Sequence, residues 1–152
     1  MDKGIILGNN ILDVVFVAWF VAQFYKVITS IITEKKITLK RFWETGGMPS
    51  SHSSTVSALT TAIGISQGVS SVLFALSTVF AVIVMHDAAG IRRAAGKQAS
   101  VLNRIGQSLS KIFDDRFNEI QLKELLGHNP VEVFVGALLG IAVAFIMRFH
   151  LV

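Results

Sequence analysis

Residues 11–32 read ILDVVFVAWFVAQFYKVITSII, an apolar run of roughly 20 residues, long enough as a helix to span ~30 Å of hydrocarbon. Three further apolar stretches follow: a short one from about Ser54 to Ser66, rich in Ser, Thr, Ala and Gly, then about Val69 to Met85 and about Val131 to Phe149. Composition agrees with them. Of 152 residues, 52% are hydrophobic and 16% charged, where a soluble domain carries roughly 25% charged residues. Mean hydropathy is +0.61. So few charges cannot coat a soluble domain, which argues against a cytosolic enzyme, a disordered chain or a nucleic-acid-binding module. The expected class is all-α: an integral membrane helical bundle forming one membrane domain over residues 1–152. Its four apolar helices are expected at 11–32, 54–67, 69–86 and 131–149. Met1-Asp2-Lys3 is a poor basic leader and no A-x-A-like site follows the first run, so that run reads as a retained anchor.

Residues 87–129 form a polar block that also reads as helical. Ile91, Ala94, Ala95, Leu102, Ile105 and Leu109 fall at helical spacing, as do Ile112, Phe113, Phe117 and Ile120. Two amphipathic helices are expected there, lying against the membrane face or packing on the bundle. Gly127 reads as a helix stop, and Asn129-Pro130 as an N-cap followed by proline in the first turn.

Basic residues set the orientation. Eleven of the 14 lie in two polar segments: Lys35, Lys36, Lys40 and Arg41 in the first, and Arg92, Arg93, Lys97, Arg104, Lys111, Arg116 and Lys123 in the second. Four crossings put both segments on one side, which the positive-inside rule makes cytoplasmic, with both termini outside. A re-entrant second stretch would place the basic segments on opposite faces, which the same rule disfavours. A full crossing by so short a stretch requires shielding by the other helices or extension beyond these limits. The net charge of +4 and pI near 9.7 therefore report topology, and no nucleic-acid partner is expected. The absence of cysteine removes disulfides, thiolate catalysis and cysteine zinc sites.

Three clusters converge on that face. Gly46-Gly47-Met48-Pro49-Ser50-Ser51-His52-Ser53-Ser54 precedes the second helix. It offers turn-forming glycines, a stiffening proline and capping hydroxyls, with backbone N–H groups aimed at one point, as an anion site requires. His52 stands at its rim, where an imidazole can exchange a proton near neutral pH. The plainer reading is a polar helix cap beside an incidental histidine. His86-Asp87 opens the second cluster, which carries Arg92, Arg93 and Lys97. Arg93 and Lys97 share a helix face and repel unless an anion lies between them, or else belong to a solvated positive face. In the third, His128 sits four residues before Glu132, whose carboxylate can fix the imidazole tautomer and free the other nitrogen to attack. The same spacing from Asn129 makes Glu132 a capping-box residue, and the two roles are compatible. No G-x-S-x-G motif and no H-x-x-x-H or D-x-D metal spacing occurs, so no metal or cofactor is expected. His150 has no partner evident in the sequence.

At Met48-Pro49-Ser50-Ser51-His52 the chain resembles the type 2 phosphatidic acid phosphatase superfamily, whose second motif is P-S-G-H. At His128-x-x-x-Glu132 it resembles the third motif, which ends H-x-x-x-D. Together GGMPSSHSS, MHDAAGIRRAAGKQA and LKELLGHNPVEV are similar to the divergent membrane branch of that superfamily, related to acid phosphatases and vanadium-dependent haloperoxidases; the likeness covers about Phe42 to Gly140. The resemblance implies a metal-independent phosphohydrolase at the cytoplasmic surface of the cell membrane, acting on a lipid phosphate or diphosphate. In it His128 is the nucleophile, Glu132 its orienting carboxylate and His52 the general acid, with Ser50 and Ser51 holding phosphate. The chain departs from the pattern in lacking the first motif, K-x6-R-P. Leu122, with Lys123 beside it, stands where an arginine is expected, Glu132 replaces Asp and Ser51 replaces Gly. Arg92, Arg93, Lys97 and Lys123 are the basic residues available to supply the missing phosphate contacts. Two other classes fit the same sequence: a non-catalytic protein that binds anionic lipid, and a structural subunit with degenerate motifs.

Overall fold

The structure is a computed structural model that describes residues 4–34, 47–113, 122 and 127–152. Among them all regular structure is helical: α1 (Asn10–Glu34), α2 (Ser51–Gln67), α3 (Val72–Ala89), α4 (Ile91–Phe113) and α5 (Pro130–Ile146), then a single 3-10 turn, Arg148–His150. Helices α1, α2, α3 and α5 form the bundle, with α2 in its middle packed against the other three. α4 packs chiefly on the end of α3.

Local chemistry sets the boundaries. Asn9 caps α1 by accepting from the amides of Ile11 and Leu12, at 2.9 and 3.2 Å. α2 begins at Ser51, three residues ahead of the apolar stretch, because Ser50 is its N-cap and accepts from the Ser53 amide at 3.4 Å. It ends at Gly68, whose φ of 84° is a left-handed value that glycine adopts without steric cost. Ser71 then caps α3 through the Phe74 amide at 3.2 Å, so α3 starts at Val72 rather than Val69.

The interior is made of small residues. Val14, Ala18, Ala22, Ala58, Ala62, Ala81 and Ala144 are buried together with Ser50, Ser53, Ser54, Ser57 and Ser77. The large apolar side chains lie outside, among them Phe16, Phe20, Phe24, Leu76, Phe80, Phe134 and Phe145. This inverts a soluble fold. In lipid an exposed phenylalanine costs nothing, and helices associate through close backbone approach and interhelical hydrogen bonds. Both devices are present. A Cβ on Gly136 would overlap the Ser50 carbonyl oxygen, and one on Gly140 the Ser54 carbonyl oxygen, so α5 can lie directly on α2. The Ser54 hydroxyl donates to the Ala18 carbonyl and the Thr60 hydroxyl to the Ser77 carbonyl, each at 3.1 Å. α2, which alone is too polar to face lipid, is thus covered on three sides.

Among the described residues two helical segments are long and apolar enough to cross a membrane, Asn10–Thr29 and one within Val72–Ser108; α5 is apolar but shorter, at 17 residues. At one end of the bundle the C-terminal half of α1 and of α3 meets the start of α2 and of α5. At the other, Asp13 of α1 receives His150 Nε2 at 3.1 Å and the amides of Ile6 and Leu7 at 3.1 and 2.7 Å. α2 and α5 are therefore parallel, and their N-termini lie side by side.

Candidate active site

The chain enters α2 through Gly47, at φ 80°, and a cis Met48–Pro49 bond. The Ser50 amide donates to the carbonyl of Glu132 at 3.0 Å, which ties the first turn of α2 to the first turn of α5. Helix starts leave amides without intrahelical acceptors and carry the positive end of the helix dipole. Two of them converging on one point make a place where an anion is favoured.

His128 is held from two sides. Its amide donates to the Ala88 carbonyl at the end of α3, at 3.1 Å. Its Nδ1 lies 2.9 Å from Glu132 Oε2, which also accepts the Asn129 amide at 3.3 Å. Glu132 accordingly caps α5 and orients the imidazole with the same oxygen. With the Nδ1 proton directed at that carboxylate, Nε2 is left with its lone pair. Nε2 is buried and has no hydrogen-bond partner among the described residues. The His52 and His128 rings are steeply inclined to one another, with centroids 5.9 Å apart and planes at 67°.

A residue not singled out in the sequence completes the group. Lys26 of α1, 6% exposed, donates from Nζ to Ser51 Oγ at 3.2 Å, and Glu132 is the charged group that acts on it. The signal for it was present: a charged residue inside a membrane-length apolar run is costly to bury and therefore marks a site.

The other candidates are distributed differently. Ser51 is in the group through Lys26. Ser50 is fully buried, and its hydroxyl oxygen is engaged in the cap. Lys97 is exposed on the second turn of α4. Arg92 and Arg93 belong to the first turn of α4, and their side chains lie outside the described residues, as do Lys123 and the expected second amphipathic helix around Phe117 and Ile120. His86 is exposed near the end of α3. Among the described residues no three His, Asp or Glu side chains gather closely enough to hold a metal ion.

An inverted, small-residue interior and two helices of membrane length among the described residues define a helical membrane protein, here with a buried His128 and a half-buried His52 at the joined N-termini of two parallel helices. The model of the Divergent PAP2 family matches residues 7–143, and the chain belongs to that family. It is 41% identical over 137 residues to the uncharacterized membrane protein YuiD of Bacillus subtilis (strain 168), a match covering 84% of this chain and 87% of that protein. No solved structure matches.

Proposed function

We propose that the chain is a metal-independent membrane phosphohydrolase that cleaves a lipid phosphate or diphosphate through a phosphohistidine on His128. The observation that carries the reading is the state of that side chain: Nδ1 is fixed at 2.9 Å by Glu132, while Nε2 is buried with no hydrogen-bond partner among the described residues and the His52 ring centroid lies 5.9 Å from that of His128. Nε2 attacks phosphorus and the P–O bond to the lipid breaks. His52, protonated, gives its proton to the departing oxygen. Water then attacks the phosphohistidine, His52 takes a proton from it, and inorganic phosphate leaves with His128 restored. Lys26, the Ser51 hydroxyl and the α2 amides face the charge on the phosphoryl oxygens, where phosphoryl transfer depends most on positioning and electrostatic stabilisation. Lys26 in this role supplies a cation that the absent first motif would otherwise provide.

The site is proposed to lie at the cytoplasmic face of a four-crossing bundle. Residues 35–46 join the end of α1 to the start of α2, and residues 90–129 join α3 to α5. The two basic segments therefore both leave from the end that carries the histidines, as the positive-inside rule requires.

The test is phosphate release from a panel of lipid phosphates and diphosphates, with chelator present, by the wild-type chain and His128→Ala. Release by wild type alone, with an acid-labile, base-stable phosphoryl group trapped on the protein, supports the reading. Turnover by His128→Ala ends the nucleophile assignment. A folded wild-type chain that releases nothing across the panel transfers the case to the anion-binding reading.

A further inference from the structure

α4 carries a face that the other described residues leave uncovered. Val101, Leu102 and Ile105 are 56%, 54% and 50% exposed. At about 100° per residue they fall on one side of the helix. Lys97 and Arg104, both exposed, are seven residues apart and share a line along one flank of that side. Asn103, Ser100 and Gln107 occupy the opposite side. Over Ile91–Phe113 the sequence has five basic residues, Arg92, Arg93, Lys97, Arg104 and Lys111, and no Asp or Glu.

We propose that α4 lies in the plane of the membrane surface, with its apolar face in the acyl-chain boundary and its basic flank on anionic lipid headgroups of the leaflet that borders the histidine site. A narrow apolar face with basic residues at its edge, on a helix of low overall hydrophobicity, is the pattern of an interfacial helix. Position agrees, since α4 follows α3 after one residue, and α3 is apolar enough to cross. Charge selects the occupant. A second copy docked on the same face would bring two helices of five positive charges together with no acidic residue to pair them, whereas an anionic surface complements each one. The inference rests on the membrane class of the chain and not on hydrolysis.

Seating α4 also bears on the site. The Asn103 side chain donates to the Leu122 carbonyl and accepts the Leu122 amide, both at 2.9 Å. The returning chain is thus pinned to α4 six residues before His128.

The chain has no cysteine, so single-cysteine variants report without background. Val101→Cys, Ile105→Cys and Gln107→Cys are placed in the full chain, in nanodiscs holding one copy each. Discs of phosphatidylcholine with phosphatidylglycerol are compared with phosphatidylcholine alone, and labelling by a water-soluble maleimide is timed. Positions 101 and 105 are expected to react at least about tenfold more slowly than 107 in the anionic discs, as burial in the interface requires. At roughly fivefold per neutralised cation, Lys97→Gln with Arg104→Gln is expected to speed labelling at 105 by up to about thirtyfold, with the rate at 107 as the ceiling. Equal rates at 101, 105 and 107 overturn the proposal. So does protection that is the same in both lipids, or that appears only in discs loaded with two copies.

Discussion

Replacing Lys26 with methionine separates what the buried lysine does for the fold from what it does for chemistry. Lys26 is 6% exposed and bonded to Ser51 Oγ at 3.2 Å. Keeping an ammonium out of water costs several kcal/mol even after relaxation, and here that cost is opposed by one hydroxyl and the charge of Glu132. Methionine is unbranched, of similar length and able to fill an irregular gap. Glu132 keeps its bonds to His128 and to the Asn129 amide in the variant. The unfolding midpoint in detergent is therefore expected to hold or rise. Activity should move the other way. A hydrogen bond to a charged group is worth roughly 1.5–3 kcal/mol, which at about 1.36 kcal/mol per decade is a loss of about 10- to 150-fold in kcat/KM. Inhibition by inorganic phosphate should weaken in parallel, because the same cation meets the product. The assay is phosphate release beside a thermal unfolding curve on the same preparation. A folded Lys26→Met chain with unchanged kcat/KM and unchanged phosphate inhibition refutes the assignment and leaves Lys26 as a packing residue.

Glu132→Gln keeps size and removes charge; by analogy with other carboxylate-oriented imidazoles, kcat is expected to fall about 10³- to 10⁴-fold, while circular dichroism stays unchanged. Gly140→Ala places a methyl group on the Ser54 carbonyl and within 2.9 Å of the Ala58 amide nitrogen, both backbone, and is expected to cost about 1–3 kcal/mol or more in thermal unfolding. Gly64→Ala is the control: its Cβ meets only side chains, the Phe74 ring at 3.1 Å and Val69 at 3.8 Å, and the ring can turn aside, so its unfolding midpoint should stay close to wild type. His150→Ala removes the side-chain partner of Asp13 at the far end of the bundle; faster proteolysis within residues 4–9 is expected, with kcat/KM intact.

The architecture was legible where it depended on periodicity and length, and illegible where it depended on distance along the chain. The apolar runs located α1, α3 and α5 because a lipid-facing helix needs only continuous hydrophobicity. The sequence expectation for α2, 54–67, starts three residues after the observed Ser51 because the first turn is serine and histidine, residues that read as loop and are helical here because Ser50 caps them. His52, His128 and Glu132 are candidates that the local sequence and the resemblance offer, and the contact between His128 and Glu132 is legible because they are only four residues apart. The charge of Lys26 inside an apolar run is legible, but its partner is not, because Ser51 is 25 residues away. The sequence shows no partner for His150 because Asp13 is 137 residues away. Gly136 and Gly140, four apart on α5, carried a readable signal for close helix packing.

Those glycines connect packing to the site. The Ser50 carbonyl that fills the space beside Gly136 belongs to the residue whose amide bonds the Glu132 carbonyl at 3.0 Å. The backbone approach that holds α2 on α5 without a hydrophobic driving force is thus the same contact that brings the α2 N-terminus, with His52 in its first turn, against the helix that carries Glu132. Any side chain at position 136 must push these two turns apart, and with them the histidine rings, whose centroids lie 5.9 Å apart. Bundle stability and site geometry are therefore not independent in this chain. A substitution at Gly136 is expected to lower kcat even under conditions where the protein remains folded, whereas one at Gly64, whose Cβ would meet Phe74 and Val69 side chains, has no such route to the histidines.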